Sequence, residues 1–177
     1  FDINNLSKSS SIFSYKKLNF FNNYYIRKEN GIIEFEEYCL THSKLKILLK
    51  KDKDKLIKIF KIYKKDINNF NEISNIADVY FDDNYKFDRN EELGKEFKKL
   101  NRDFLKSITL IEEWTRDNIQ KNIENFLKIK NLKFPILGKP MRFLLISTYN
   151  GPSISDILLI LGKKDSIERL NQYIEKS

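Results

Sequence analysis

Pro135 to Leu170 reads PILGKPMRFLLISTYNGPSISDILLILGKKDSIERL and carries six of the chain's eight Gly and Pro residues. Its turns are therefore specified more tightly than those elsewhere. Pro140 suits the first turn of a helix, where a missing N–H costs nothing. That helix would place Met141, Leu144, Leu145 and Thr148 on one side and Arg142 near its start. Asn150-Gly151-Pro152 breaks the chain sharply. Ser153 or Ser155 is set to cap a second apolar helix, Ile157 to Leu161, and Gly162 ends it where a left-handed residue is favoured. Lys163 and Lys164 lead into a last amphipathic helix through Ile167, Leu170 and Ile174. The stretch is an apolar scaffold holding one guanidinium beside one Gly-Pro corner.

Upstream, apolar residues recur at helical spacing almost throughout. Tyr15 to Glu29 reads as a helix with Leu18, Phe21 and Tyr25 on one side, and Asn30-Gly31 stops it. Ile32 to Leu40 is a second helix. Its Glu34, Glu36 and Glu37 would repel phosphate. Lys44 to Lys65 is dense in lysine around a charged break from Lys50 to Lys55, after which Leu56, Ile59, Phe60 and Tyr63 face inward. Ile67 to Phe81 holds another helix, and Asp82-Asp83-Asn84 turns the chain. Tyr85 to Asn90 is the least regular stretch. Glu91 to Leu100 and Phe104 to Glu113 are helical, and Thr115 caps a long helix through Ile119, Ile123, Phe126 and Leu127. Trp114, just before it, is expected to be largely buried. No convincing strand and no repeat is present.

The expected fold class is all-α, as small helical bundles packed in tandem. Residues 1–14 form a junction, 15–88 a first helical subdomain and 89–177 a second. Hydrophobic residues at 41% of 177 supply a core, which excludes a disordered tail. A formal charge of +8 raises the case for a polyanionic partner without proving it. Cys39 is the only cysteine, so no internal disulfide forms, which fits a reducing compartment. Cys39 and His42 have metal-like spacing but too few companions for a structural zinc site, so a buried thiol and a surface imidazole are expected. No apolar run spans a membrane. Phe1-Asp2 offers neither an initiator Met nor a signal-peptide layout, so a larger protein is expected to precede it.

Ser7-Lys8-Ser9 with Phe13, Lys17-Leu18-Asn19-Phe20-Phe21-Asn22-Asn23-Tyr24-Tyr25-Ile26-Arg27, Trp114-Thr115, and Pro140-x-Arg142-x-x-Leu145 followed by Gly151-Pro152 and Leu161-Gly162-Lys163 occur in one order. That series resembles the carboxy-terminal region of bacterial glutamyl-tRNA synthetases. The resemblance implies a helical anticodon-binding region of the class I type. It implies that Arg142, Gly151, Pro152 and, at the margin, Ser153 and Ile154 contact anticodon bases. Lys17, Arg27, Lys64 and Lys65 are the expected contacts to the tRNA backbone. Leu144 replaces the family's alanine, and Ile146-Ser147 replaces its threonine-glycine pair. Some members carry an arginine where Asp66 stands, and use it to discriminate glutamate from glutamine tRNA.

The family's H-x-G-H-type segment and K-x-S-K loop, which hold ATP, have no counterpart here, because His42 stands alone. No cofactor is therefore expected in this chain, with ATP and Mg assigned to a catalytic domain outside it. No catalytic residue and no metal ligand is assigned. The partner implied is glutamate-accepting tRNA, with glutamine tRNA as a second candidate. A monomer in the cytoplasm, or in an organelle, is expected. Glutaminyl-tRNA synthetase, whose anticodon region is a β-barrel, fits the helical pattern poorly. The rival class of function is a helical protein–protein interaction module with no RNA role.

Overall fold

A computed structural model describes residues 14–28, 30–86 and 93–175 of the chain. Among them there is no strand, and the helices run α1 (Tyr15–Arg27), α2 (Gly31–Thr41), α3 (Ser43–Lys51), α4 (Lys53–Tyr63), α5 (Glu72–Phe81), α6 (Gly94–Thr109), α7 (Arg116–Lys130), α8 (Phe134–Ile146) and α9 (Ile154–Glu175). Apart from Ser14, the expected junction lies outside the described residues, and so does the boundary between 88 and 89. The two stretches expected to be separate helices on either side of Asn101 are one helix, α6.

Local polar residues decide most of the breaks. Asp52 ends α3 and caps α4, its Oδ1 accepting from the Lys55 N–H at 2.8 Å. His42 is only partly buried but is no spectator: Nδ1 accepts from the Leu45 N–H at 3.3 Å and starts α3. Glu72 draws in the loop before α5, accepting from the Asn68 N–H and the Asn69 side-chain amide. Thr115 caps α7 as its position suggested, and Asn131, in the left-handed region at φ 50°, closes it. Gly162, at φ 80°, breaks the helical backbone inside α9.

The first half is organised by aromatic rings. Phe35 of α2 stacks on Phe60 of α4 with centroids 4.3 Å apart, and Phe70 closes against both. Truncating either stacked ring costs about 3–5 kcal/mol. Cys39 is fully buried in this layer, and burial pushes its thiol up to about 12. Helix α1 departs from expectation. Its buried residue is Ile26, whereas Leu18, Phe21 and Tyr25 are exposed. It packs chiefly on α2 through its carboxy-terminal end, where Gly31 meets the Ile26 carbonyl so closely that a Cβ would lie 2.3 Å away. Phe20 and Tyr24 of α1 are exposed as well.

In the second half, α9 packs against α6, α7 and α8, and it also reaches α4. Trp114 is partly buried. Its indole N–H donates to the Leu158 carbonyl at 3.0 Å, which holds the ring at the edge of the core. One buried cation crosses between the halves. Arg169 is 3% exposed and donates to the Val79 carbonyl at the end of α5 (2.7 Å) and the Leu145 carbonyl at the end of α8 (2.6 Å). Its guanidinium lies 3.8 Å from the centroid of Tyr85. Both carbonyls belong to last turns, where the helix dipole is negative. That compensates a buried charge with no carboxylate at ion-pair distance among the described residues.

Candidate nucleic-acid interface

Two prolines locate the corner differently from the sequence pattern. Pro135 occupies the first turn of α8, where no N–H is needed, so Pro140 falls in the helix interior. The carbonyl that Pro140 cannot serve is that of Ile136, an exposed residue, where water reaches it. Arg142 consequently lies in the second half of α8, one turn before its end. Thr148 is outside the helix. Ser147 ends α8 in the left-handed region at φ 55°. Its hydroxyl bonds the Tyr85 hydroxyl at 2.9 Å, which gives the strained backbone a fixed partner.

From there the chain doubles back through Thr148, whose hydroxyl bridges the Asn150 N–H and carbonyl. Tyr149 stacks on Phe143 with centroids 5.0 Å apart. Gly151 takes φ 143°, a region L side chains rarely adopt. Ser153, not Ser155, caps α9, its Oγ accepting from the Asp156 N–H at 3.1 Å. Asp156 in turn is held by Arg116, Nε to Oδ1 at 2.6 Å, so the carboxylate beside the corner is already neutralised.

Arg142 completes the corner. Its Nε donates to the Pro152 carbonyl at 2.8 Å, and no carboxylate pairs with it among the described residues. One edge of the guanidinium is thus fixed while its Nη atoms make no hydrogen bond among the described residues. Gly151 is exposed and Pro152 partly so. Ile154 is fully buried, which corrects its candidate contact: its side chain cannot meet a base. Ser153 is engaged in its cap.

The expected backbone contacts fall elsewhere. Arg27 donates from Nη2 to the Lys65 carbonyl at 2.6 Å, which brings the end of α1 against the end of α4. Lys64 follows α4 and is partly buried; Lys65 is exposed. Lys17 is exposed ten residues before Arg27, about 15 Å along α1. Arg27, Lys64 and Lys65 therefore form one cluster, with Lys17 apart from it. Among the described residues, no group of three or more His, Cys, Asp or Glu could hold a metal ion, and no helix is long and apolar enough to cross a membrane.

Residues 34–174 match a family described as Anticodon binding domain. The chain belongs to that family. Curated relatives that it matches include glutamate–tRNA ligases. The ligase of Borrelia recurrentis is 30% identical over 184 residues, a match spanning 97% of this chain and 36% of the relative. The Mycoplasma capricolum and Bacillus subtilis ligases are 27% and 26% identical. The chain thus spans about a third of the length of these relatives, 36% in the first. A solved glutamate tRNA ligase from Elizabethkingia meningosepticum, in complex with its amino acid, shares the fold. Its TM-score is 0.77 at 23% identity, over 99% of this chain and 35% of that one. The family match favours an anticodon-binding domain over a protein–protein interaction module, and the shared fold accords with the absence of strands among the described residues.

Three residues near the corner escaped the sequence reading. Phe134 packs on Gly138, and the spacing of 134, 138 and 142 along one helix face was the available signal. Tyr149 stands in a turn, where no periodicity applies. Arg169 stands in the last amphipathic stretch, and nothing local marks it as buried.

Proposed function

We propose that this chain is the anticodon-binding part of a glutamate–tRNA ligase, and that Arg142 with the Gly151-Pro152 corner reads an anticodon base. The observation that carries this reading is the Nε–Pro152 bond at 2.8 Å, which ties to the corner a guanidinium with no carboxylate partner among the described residues. Unstacked anticodon bases can be read on their edges, unlike those of a duplex. Arg27, Lys64 and Lys65 hold the phosphate backbone, with Lys17 as a separate point of contact, and these position rather than specify. Ser153 supports the corner as a cap. Ligation of glutamate, with its ATP and Mg, belongs to a part of the protein outside this chain, in a cytoplasmic monomer. Asp66 is exposed beside Lys64 and Lys65, so selection between glutamate and glutamine tRNA does not use an arginine at that position.

The test is titration of the chain with glutamate tRNA, glutamine tRNA and anticodon variants, before and after Arg142→Ala. A bidentate base contact contributes about 1–3 kcal/mol of discrimination, so the substitution lowers glutamate tRNA affinity roughly 5- to 150-fold. It leaves tRNAs with unrelated anticodons nearly unchanged. Arg142→Lys does not restore binding, because an ammonium lacks the planar fork. Equal weakening of every tRNA would make Arg142 a phosphate contact instead.

A further inference from the structure

Phe134 opens α8 and is 40% exposed, unusual for a phenyl ring beside a well-packed core. Gly138 lies one turn further on and Arg142 one turn beyond that, so the three residues share a helix face. The ring rests on Gly138: a Cβ there would lie 2.6 Å from Cε1 and 2.8 Å from Cζ of Phe134. A side chain at 138 would therefore push the ring away from the helix. Arg142 places its guanidinium carbon 5.8 Å from the centroid of the same ring, while its Nε holds the Pro152 carbonyl. Ring, guanidinium and corner form one continuous surface.

Charge says what this surface takes. Lys133 and Lys139 are exposed on either side of the glycine, and neither forms an ion pair among the described residues. The carboxylate of Asp156, at the corner, is held by Arg116. An exposed flat ring rimmed by unpaired cations suits an unpaired nucleobase, whose face stacks and whose phosphates meet the cations. An apolar protein segment would have to desolvate those same cations. We infer that Phe134 is a base-stacking residue, which holds a second unpaired base beside the one that Arg142 reads. This rests on the anticodon reading above and adds a residue and a contact to it.

The experiment uses the 177-residue chain and a glutamate tRNA anticodon hairpin carrying 2-aminopurine at each loop position in turn. Phe134→Leu keeps apolar contact with Gly138 but removes the flat face. It should weaken hairpin binding roughly 5- to 150-fold and abolish the fluorescence change at one loop position. Phe134→Trp should preserve both. The salt dependence of binding should stay the same, because no phosphate contact is lost. Wild-type affinity with an unchanged fluorescence response in Phe134→Leu would overturn the inference. So would a lower melting temperature with binding intact, which makes the ring purely structural. If no loop position responds on binding to the wild-type chain, no base stacks there, even where Arg142→Ala still alters anticodon preference. If Arg142→Ala alters nothing either, it is the anticodon reading that fails.

Discussion

Arg142 and Arg169 lie on neighbouring helices of the same unit, and each donates to backbone carbonyl oxygen with no carboxylate partner among the described residues. Their surroundings make them opposites. Arg169 is enclosed, spends two nitrogens on the ends of α5 and α8, and lies against Tyr85. Arg142 is partly buried, spends only Nε on Pro152, and points along an exposed corner. The difference shows how the molecule separates holding from reading. Arg169 fixes the last turn of α8 through Leu145, and Tyr85 adds bonds to the Phe143 carbonyl and the Ser147 hydroxyl. Arg142 then leaves a helix whose end cannot drift.

The largest effect expected from this contrast is on stability. Arg169→Ala leaves the Val79 and Leu145 carbonyls unpaired in the interior, each costing about 1–3 kcal/mol. A total loss of about 2–5 kcal/mol should appear in denaturant unfolding, whereas Arg142→Ala should lose less than about 1 kcal/mol. Equal losses would erase the distinction between the two arginines.

Next in size is the corner itself. At Gly151 a Cβ would meet Ile146 Cδ1 at 3.5 Å, an ordinary contact, so bulk is not the obstacle. The backbone is: φ 143° strains any L residue by about 1–3 kcal/mol. Gly151→Ala and Gly151→Val should therefore weaken anticodon binding alike while circular dichroism stays helical. A harmless alanine beside a damaging valine would mean that the pocket, not the backbone, was disturbed.

Alkaline pH probes the enclosed region alone. Burial holds the Tyr63, Tyr80 and Tyr85 hydroxyls protonated above the usual tyrosine range, and Cys39 up to about 12. The unfolded chain releases the thiol proton near 9.0 and the tyrosine protons near 10.0. Above those values the native state binds more protons than the unfolded one, so stability falls as pH rises. The slope from Cys39 is about 1.4 kcal/mol per pH unit from pH 9, and the tyrosines add to it beyond 10. Cys39→Ala should flatten the first interval and Tyr85→Phe should ease the second, both seen in unfolding midpoints against pH.

Features set by neighbouring residues were readable from the sequence, and features set by distant ones were not. The Thr115 and Ser153 caps, the Gly162 break and the inward face of α4 are local, and each stands where its residue type requires. Pro140 suits a first turn by residue type alone, but Pro135 fills that turn and leaves Pro140 in the helix interior. The apolar face of α1 follows helical periodicity, yet periodicity does not say whether another element exists to cover it. Trp114 was legible as a mostly buried ring, but its carbonyl partner, Leu158, is 44 residues away and was not. Arg169 was invisible for the same reason that it matters: Val79 and Leu145 are 90 and 24 residues away.

The smallest effects concern the lysines, where abundance misleads. Lys44 pairs with Asp78 at 2.7 Å, Lys53 with Glu36 at 2.6 Å and Lys55 with Asp165 at 3.3 Å, while Lys51 takes Asp83. Half the apparent charge of α3 and α4 is thus answered within the protein. Lys64 and Lys65 form no ion pair among the described residues, and Lys65 is exposed beside Arg27. Lys65→Ala should reduce the slope of log affinity against log salt by about one, uniformly across tRNAs. Lys44→Ala should leave that slope unchanged and shift stability by at most about 1 kcal/mol, as exposed pairs do. Arg27→Ala should lower the slope and also loosen α1, since its Nη2 holds the Lys65 carbonyl. A slope that responds equally to Lys44 and Lys65 would mean that tRNA breaks the lysine pairs on binding, and that the phosphate path runs over α3 and α4.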